Sequence, residues 1–230
     1  MIERIAALLI GYVFGLIQTG YIYGKLNGID IRKTGSGNAG TTNMLRTMGP
    51  KAGLITLLVD AFKAVAAMLV VRFIFKGDKP DMVYLLQIYA GAGAILGHDF
   101  PFYLGFKGGK GIACTAGLII GMMDPYIFWG NFVLFFGIFF TLHYVSLASL
   151  LIYVGIVAGA IIRGQLRLGH FGTLHPDYLY EIYGILIALL ILAFYQHREN
   201  IKRLIQGKER RTYISKEKNK AEAERIAKLG

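Results

Sequence analysis

The chain has 230 residues, 55% of them hydrophobic and only 17% charged, with a formal net charge of +11 and one cysteine, Cys114. Such apolar content excludes a disordered chain, one cysteine excludes a disulfide scaffold, and 30 Gly against 5 Pro without a triplet period exclude collagen. In a soluble domain this basic charge would point to nucleic acid, but the apolar residues lie in long unbroken blocks that point to a bilayer, so no nucleic-acid partner is expected.

The first block, residues 5–24, has 20 residues without Asp, Glu, Lys or Arg, about 30 Å of helix and enough for one bilayer span. It is too long for a cleaved signal peptide, and no small-residue cleavage site follows it. A polar stretch comes next, with Gly35-Ser36-Gly37-Asn38-Ala39-Gly40-Thr41-Thr42-Asn43-Met44-Leu45-Arg46 at its centre. Three glycines in six residues permit tight turns whose N–H groups form an anion nest. Ser36, Asn38, Thr41, Thr42 and Asn43 add neutral donors, and Arg46 adds a planar fork suited to phosphate.

Residues 52–71 are apolar apart from Asp60 and Lys63, which at i, i+3 predict a structural pair on one helix face. Residues 82–98 form a further span. Then comes GHDFPFYLGFKGGKGIA from Gly97, in which Gly105, Gly108, Gly109 and Gly111 surround Lys107 and Lys110 just before a predicted helix. Helix-start N–H groups with a lysine make an anion site. It is not an ATP-binding Walker loop, because Gly111 rather than Ser or Thr follows Lys110. Residues 111–123 are apolar but short for a span. Cys114 among them reads as a small buried residue.

Residues 125–162 run 38 positions without a charge, two spans' worth, with a turn expected at 143–146. Residues 182–197 make the last span, followed by HRENIKRLIQGKE, where His197 and Asn200 share a helix face at i, i+3. Beyond it the Lys/Glu/Arg-rich segment 208–230 reads as a solvated helix or frayed tail that anchors to anionic headgroups. Glycine pairs at i, i+4 (Gly11/Gly15, Gly20/Gly24, Gly93/Gly97, Gly117/Gly121, Gly155/Gly159) predict close helix packing in lipid.

The expected fold is an all-α integral membrane protein: a bundle of seven transmembrane helices over 1–209 with a charged tail over 210–230. Segments 25–51, 98–110, 143–147 and the tail from 197 then share one side and carry 18 of the 25 Lys and Arg. The positive-inside rule places the C-terminus in the cytoplasm and the N-terminus outside. No cluster has metal-ligand spacing, and no cofactor is expected.

The three motif segments together resemble the bacterial acyl-phosphate:glycerol-3-phosphate acyltransferases, the PlsY family. GSGNAGTTNMLRTMG is similar to its first motif, GHDFPFYLGFKGGKGIA to its second and HRENIKRLIQGKE to its third. The resemblance implies a multi-pass enzyme of the bacterial inner membrane. Its partners are acyl phosphate, glycerol 3-phosphate and membrane lipids, and it acts as a monomer. Ser36, Gly37, Asn38, Thr42, Asn43 and Arg46 fall at first-motif substrate-binding positions. Lys107, Gly108, Gly109, Lys110 and Gly111 fall in the second-motif phosphate site, His197 and Asn200 at third-motif active-site positions, and Ser149 at a further polar position. Lys110, His197 and Asn200 are the implied catalytic residues, with either His197 or a substrate phosphate as the base. Thr41 and His143 depart from the family pattern, and the tail is longer than usual. The competing reading is a transporter of small phosphate esters, which predicts internal repeats and broken helices meeting near the midplane; no repeat is visible, and both glycine loops are placed at one face.

Overall fold

The computed structural model describes residues 1–228, and among them every regular element is helical. The first apolar block is broken into α1 (Ile2–Gly15) and α2 (Thr19–Leu26). An amphipathic helix, α3 (Thr41–Met48), leads through Gly49 into α4 (Pro50–Phe75), whose first position is a proline with no N–H to lose. Next come α5 (Val83–Asp99) and the short α6 (Ile112–Gly121). Asp124 caps α7 (Pro125–Leu142) by accepting the N–H groups of Tyr126 and Ile127 at 3.1 Å each. His143, left-handed at φ 61°, ends α7 inside the expected turn, and α8 (Val145–Gln165) follows. The one-turn α9 (His170–Thr173), α10 (Pro176–Gln196), α11 (Arg198–Ile205) and α12 (Lys216–Ala227) complete the chain.

Among the described residues, five segments are long and apolar enough to cross a membrane: Ile2–Leu26, α4, α7, α8 and α10. Helix α5, at 17 residues, and α6, at 10 residues or about 15 Å, are shorter. Helix α5 is nonetheless the centre of the bundle, buried along almost its whole length and packed on α1, α4, α6 and α10. Its run Ala90-Gly91-Ala92-Gly93-Ala94 removes side-chain bulk on every face, so neighbouring backbones close in. A Cβ on Gly11 would lie 2.0 Å from the Ala90 carbonyl oxygen, and one on Gly93 would lie 2.1 Å from that of Leu8. The pairs Gly11/Gly15 and Gly93/Gly97 thus mark the α1–α5 crossing, and Gly117/Gly121 the contact of α6 with α4. Helix α7, by contrast, leaves Trp129, Val133 and Phe140 exposed, the pattern of a lipid-facing helix.

The break between α1 and α2 lies at residues 16–18, where the sequence predicted one unbroken span. Carbonyls freed by the break need donors, because lipid offers none. Tyr103 donates its hydroxyl to Leu16 O at 2.6 Å and Lys63 donates to Ile17 O, while Gln18, fully buried, donates to Gly15 O at 3.4 Å and across to His98 O, at the end of α5, at 2.9 Å. Asp60 and Lys63 do pair, at 2.8 Å, and the pair is part of a larger buried cluster: Thr19 donates to Asp60 at 2.7 Å, and Lys63 lies 2.9 Å from His98 Nδ1.

The bundle has two polar ends. At one, Arg4 makes a fork with Glu181 at 2.6 and 2.7 Å, and Lys79 pairs with Glu3 at 3.3 Å. At the other lie all three sequence motifs, the α7–α8 turn and the tail. The tail is not a frayed strand there. Thr212 N–H donates to His143 O at 2.9 Å, Tyr213 stacks on the His143 ring at 4.6 Å, and α12 packs on α3.

Candidate active site

The first glycine loop is held by one side chain. Asn43, buried in the first turn of α3, donates to Ile31 O, Thr34 O and Asn38 O at 3.2, 2.9 and 2.9 Å and accepts Ser36 N–H at 3.0 Å. Its amide is fully used, so Asn43 shapes the loop and has no donor left over. Ser36 and Gly37 are exposed and Asn38 half-buried, and they line a cavity of about 320 Å³ together with Arg32, Lys33, Lys107 and Gly108. Asp30 and Leu104 complete its wall. Thr42 is half-buried in the first turn of α3.

The second loop folds back on the C-terminal end of α5. Gly108 N–H donates to Asp99 O and Gly109 N–H to His98 O, both at 3.0 Å. These two N–H groups are therefore spent on the end of a helix rather than free for an anion, which narrows the nest expected at residues 108–111 to the start of α6. Close approach requires glycine here: a Cβ at Gly109 would lie 2.0 Å from His98 Nε2. Gly111, at φ 71°, then turns the chain left-handed into α6, whose first-turn N–H groups have no intrahelical partner. Lys110 is displayed between these fixed points, half-buried, and donates to Asn200 Oδ1.

The third segment is a helix kink. His197 ends α10 and opens α11, and its Nδ1 lies 2.8 Å from Ala193 O. A carbonyl only accepts, so Nδ1 carries the proton and Nε2 presents a lone pair. Burial and the nearby Lys110 charge hold His197 down to about 4, which makes the ring neutral at pH 7. Burial and Arg203 hold the Lys110 ammonium down to about 8.

One carboxylate ties these parts together. Glu209, 4% exposed at its side chain, accepts Ser146 Oγ at 2.9 Å, Asn200 Nδ2 at 2.8 Å and Arg203 Nε at 2.8 Å. By taking the Asn200 amide N–H, it turns Oδ1 of that amide toward Lys110. Sequence reasoning quoted Glu209 but gave it no role, and it singled out neither Ser146 nor Arg203. The one available signal was a lone acid recurring in a basic flank. Ser149 donates its hydroxyl to Val145 O at 2.7 Å, within its own helix.

Arg46 lies with the tail. Its Nε donates to Thr212 Oγ1 at 3.1 Å and its Nη2 to Arg210 O at 2.8 Å. Burial and the adjoining Arg210 lower its guanidinium to about 10. The structure thus brings Lys110, Asn200 and His197 together, groups Ser36, Gly37 and Asn38 with Lys107 and Gly108, and sets Arg46 against residues 210–212. Cationic donors of this kind, a neutral histidine and free helix-start N–H groups suit phosphate-bearing ligands.

Residues 5–207 match the glycerol-3-phosphate acyltransferase family. The chain is similar to the glycerol-3-phosphate acyltransferase of Pelodictyon phaeoclathratiforme, 38% identical over 94% of this chain and 99% of the relative. It is also similar to that of Shouchella clausii, 39% identical over 91% of this chain and 96% of the relative. Among solved structures it resembles the glycerol 3-phosphate form of PlsY (YgiH), an integral membrane glycerol 3-phosphate acyltransferase. The TM-score is 0.77 and the identity 31%, with 91% of this chain and 96% of that one covered. The lysophosphatidic acid form of the same protein gives a TM-score of 0.74 at 30% identity, covering 92% and 96%.

Proposed function

Because this chain belongs to the glycerol-3-phosphate acyltransferase family, we propose that it carries a fatty acyl group from acyl phosphate to the 1-hydroxyl of glycerol 3-phosphate, giving lysophosphatidate and inorganic phosphate. It is a multi-pass membrane acyltransferase. In this reading it crosses the bacterial inner membrane seven times, counting α5 and α6, with the N-terminus outside and the motif end in the cytoplasm. The observation that supports the chemistry most is the meeting of Lys110, Asn200 and neutral His197 at one end of the bundle.

An acyl phosphate is a mixed anhydride with a good leaving group, so it needs orientation and charge stabilisation most. The 1-hydroxyl oxygen attacks the acyl carbon. The bond from that carbon to the phosphate oxygen breaks, and phosphate leaves with the electron pair. Lys110 and the first-turn N–H groups of α6 hold that phosphate. Arg46 takes the phosphate of glycerol 3-phosphate and Asn200 orients its glycerol, while Ser36 and Lys107, which share a separate cavity, draw the anionic substrate in. The hydroxyl proton goes to Nε2 of His197 or to an oxygen of the leaving phosphate. The acyl chain lies between helices in lipid.

The test is phosphate release from palmitoyl phosphate by purified protein, with and without glycerol 3-phosphate, beside Lys110→Ala. Release that needs both substrates and is lost in the variant supports the reading. Folded protein that releases none, with palmitoyl-CoA also inert, refutes it.

A further inference from the structure

Residues 210–227 lie beyond the third motif and beyond the matched residues 5–207, yet they are folded. Arg211 N–H donates to Glu222 at 2.9 Å, and buried Asn219 closes a two-way link with Tyr213 at 2.9 and 2.7 Å. Arg210 donates its Nη2 to Asn219 O at 3.0 Å. Between this fold and α3 lies a cavity of about 370 Å³, lined by Arg46, Arg210, Lys216, Glu217, Asn219 and Lys220. By the volume water takes up in the liquid, that is room for about a dozen waters.

Two features of the cavity are unusual. It sets four cationic side chains against one carboxylate. Arg210, which lines it, also has a buried Nε with no hydrogen-bond partner. A buried donor left unmade is costly, and so are two guanidiniums side by side, unless an anion arrives. Arg46 is already fixed by Thr212 and Arg210 O through Nε and Nη2, which leaves the Nη1 edge of its fork for a ligand.

We infer that the tail completes a pocket for a phosphomonoester dianion, in which Arg210, Lys216 and Lys220 join Arg46. This deepens the function proposed above and rests on it, because Arg46 is one of the residues given there to glycerol 3-phosphate. Excess positive charge selects a dianion over a monoanion, and the forked donors select tetrahedral oxygens. The same chemistry comes from two sources: free glycerol 3-phosphate, or the headgroup of a phosphatidate-type lipid in the adjoining leaflet. Thr212 acts as a positioning residue for Arg46.

The test pairs Lys216→Ala with Lys220→Ala, both exposed on α12, in the full chain. Equilibrium dialysis with radiolabelled glycerol 3-phosphate is expected to show a Kd raised about tenfold if the free ester is the ligand. If the lipid is the ligand, that Kd stays, and nanodiscs containing phosphatidate lose the melting-temperature increase they give the unsubstituted protein over phosphatidylserine discs. No change in either readout, with the protein still folded and transferring acyl groups, overturns the pocket and leaves the proposed function standing. A raised Kd in the variants, when the unsubstituted protein itself transfers no acyl group, overturns the function and leaves the pocket standing.

Discussion

Replacing Glu209 by alanine removes one carboxylate and three hydrogen bonds at once, and replacing it by glutamine separates their contributions. Both buried-side partners, Ser146 and Asn200, bond to the same oxygen, Oε1, at 2.9 and 2.8 Å, whereas Arg203 bonds to Oε2. The Arg203 side chain is 44% exposed, so its ion pair is largely hydrated and worth about 1 kcal/mol or less. The two bonds at Oε1 are different, because breaking them strands donors that water reaches poorly, at about 1–2 kcal/mol each. Glu209→Ala should therefore cost about 3 kcal/mol, and Glu209→Gln, which keeps an acceptor at the Oε1 position, about 1 kcal/mol. For a chain of this size those costs lower the melting temperature by about 9 °C and about 3 °C. The alanine variant also frees the Asn200 amide to rotate away from Lys110, so its kcat/KM should fall at least about tenfold while the glutamine variant keeps most of its activity. Melting curves in detergent beside phosphate-release kinetics measure both. If Glu209→Gln is as damaged as Glu209→Ala in both assays, the ion pair with Arg203 dominates and the reasoning from the shared oxygen is wrong.

Lys110, held down to about 8, should lose its charge as pH rises through that value, so the KM for the acyl donor climbs above about pH 8. Lys110→Arg, which stays charged, should flatten that climb, and an unchanged slope in steady-state profiles would dismiss Lys110 as its source. Gly109→Ala should abolish most activity because its methyl group meets His98 Nε2, while Gly184→Ala, which meets nothing within 4 Å, should be neutral; equal effects would place the loop away from the reaction. Lys63→Met strands buried Asp60 and should cost about 4 kcal/mol, whereas Asp60→Leu with Lys63→Leu together should recover much of it, as thermal melts in nanodiscs would show. A double variant worse than Lys63→Met would mean that Thr19, Ile17 and His98 need those two charges.

The apolar segments were legible because a bilayer imposes length: charge-free runs are rare, and their ends fall where charges return. The α7–α8 turn was legible for the same reason, from a run too long for one crossing. The break at residues 16–18 was not, since no proline marks it. It exists because Tyr103 and Lys63, far from it in sequence, meet the freed carbonyls. The Asp60–Lys63 pair followed from i, i+3 spacing, but its third member, His98, is 35 positions away. At the candidate site, the glycines and lysines of the second loop announced themselves by composition, while the N–H groups of Gly108 and Gly109 proved committed to α5. Glu209 and Thr212 were hidden by context. In a segment rich in Lys and Glu, one acid and one threonine look solvated, and only contacts spanning 63 and 166 positions single them out.

The joining of Ser146 and Asn200 through Glu209 also bears on how the molecule is made. Chains fold from the N-terminal side as they are synthesised. Every spanning helix, α10 included, precedes Glu209 and Thr212 in the chain. A growing chain therefore integrates into the bilayer before its Asn200 amide is latched and before Arg46 is fixed. With the roles proposed for Asn200 and Arg46, reaction competence arrives as a late event in biogenesis, after the lipid-embedded part is in place. A nascent enzyme stalled shortly after α11 would sit in the membrane with its substrates in reach and its polar groups unset.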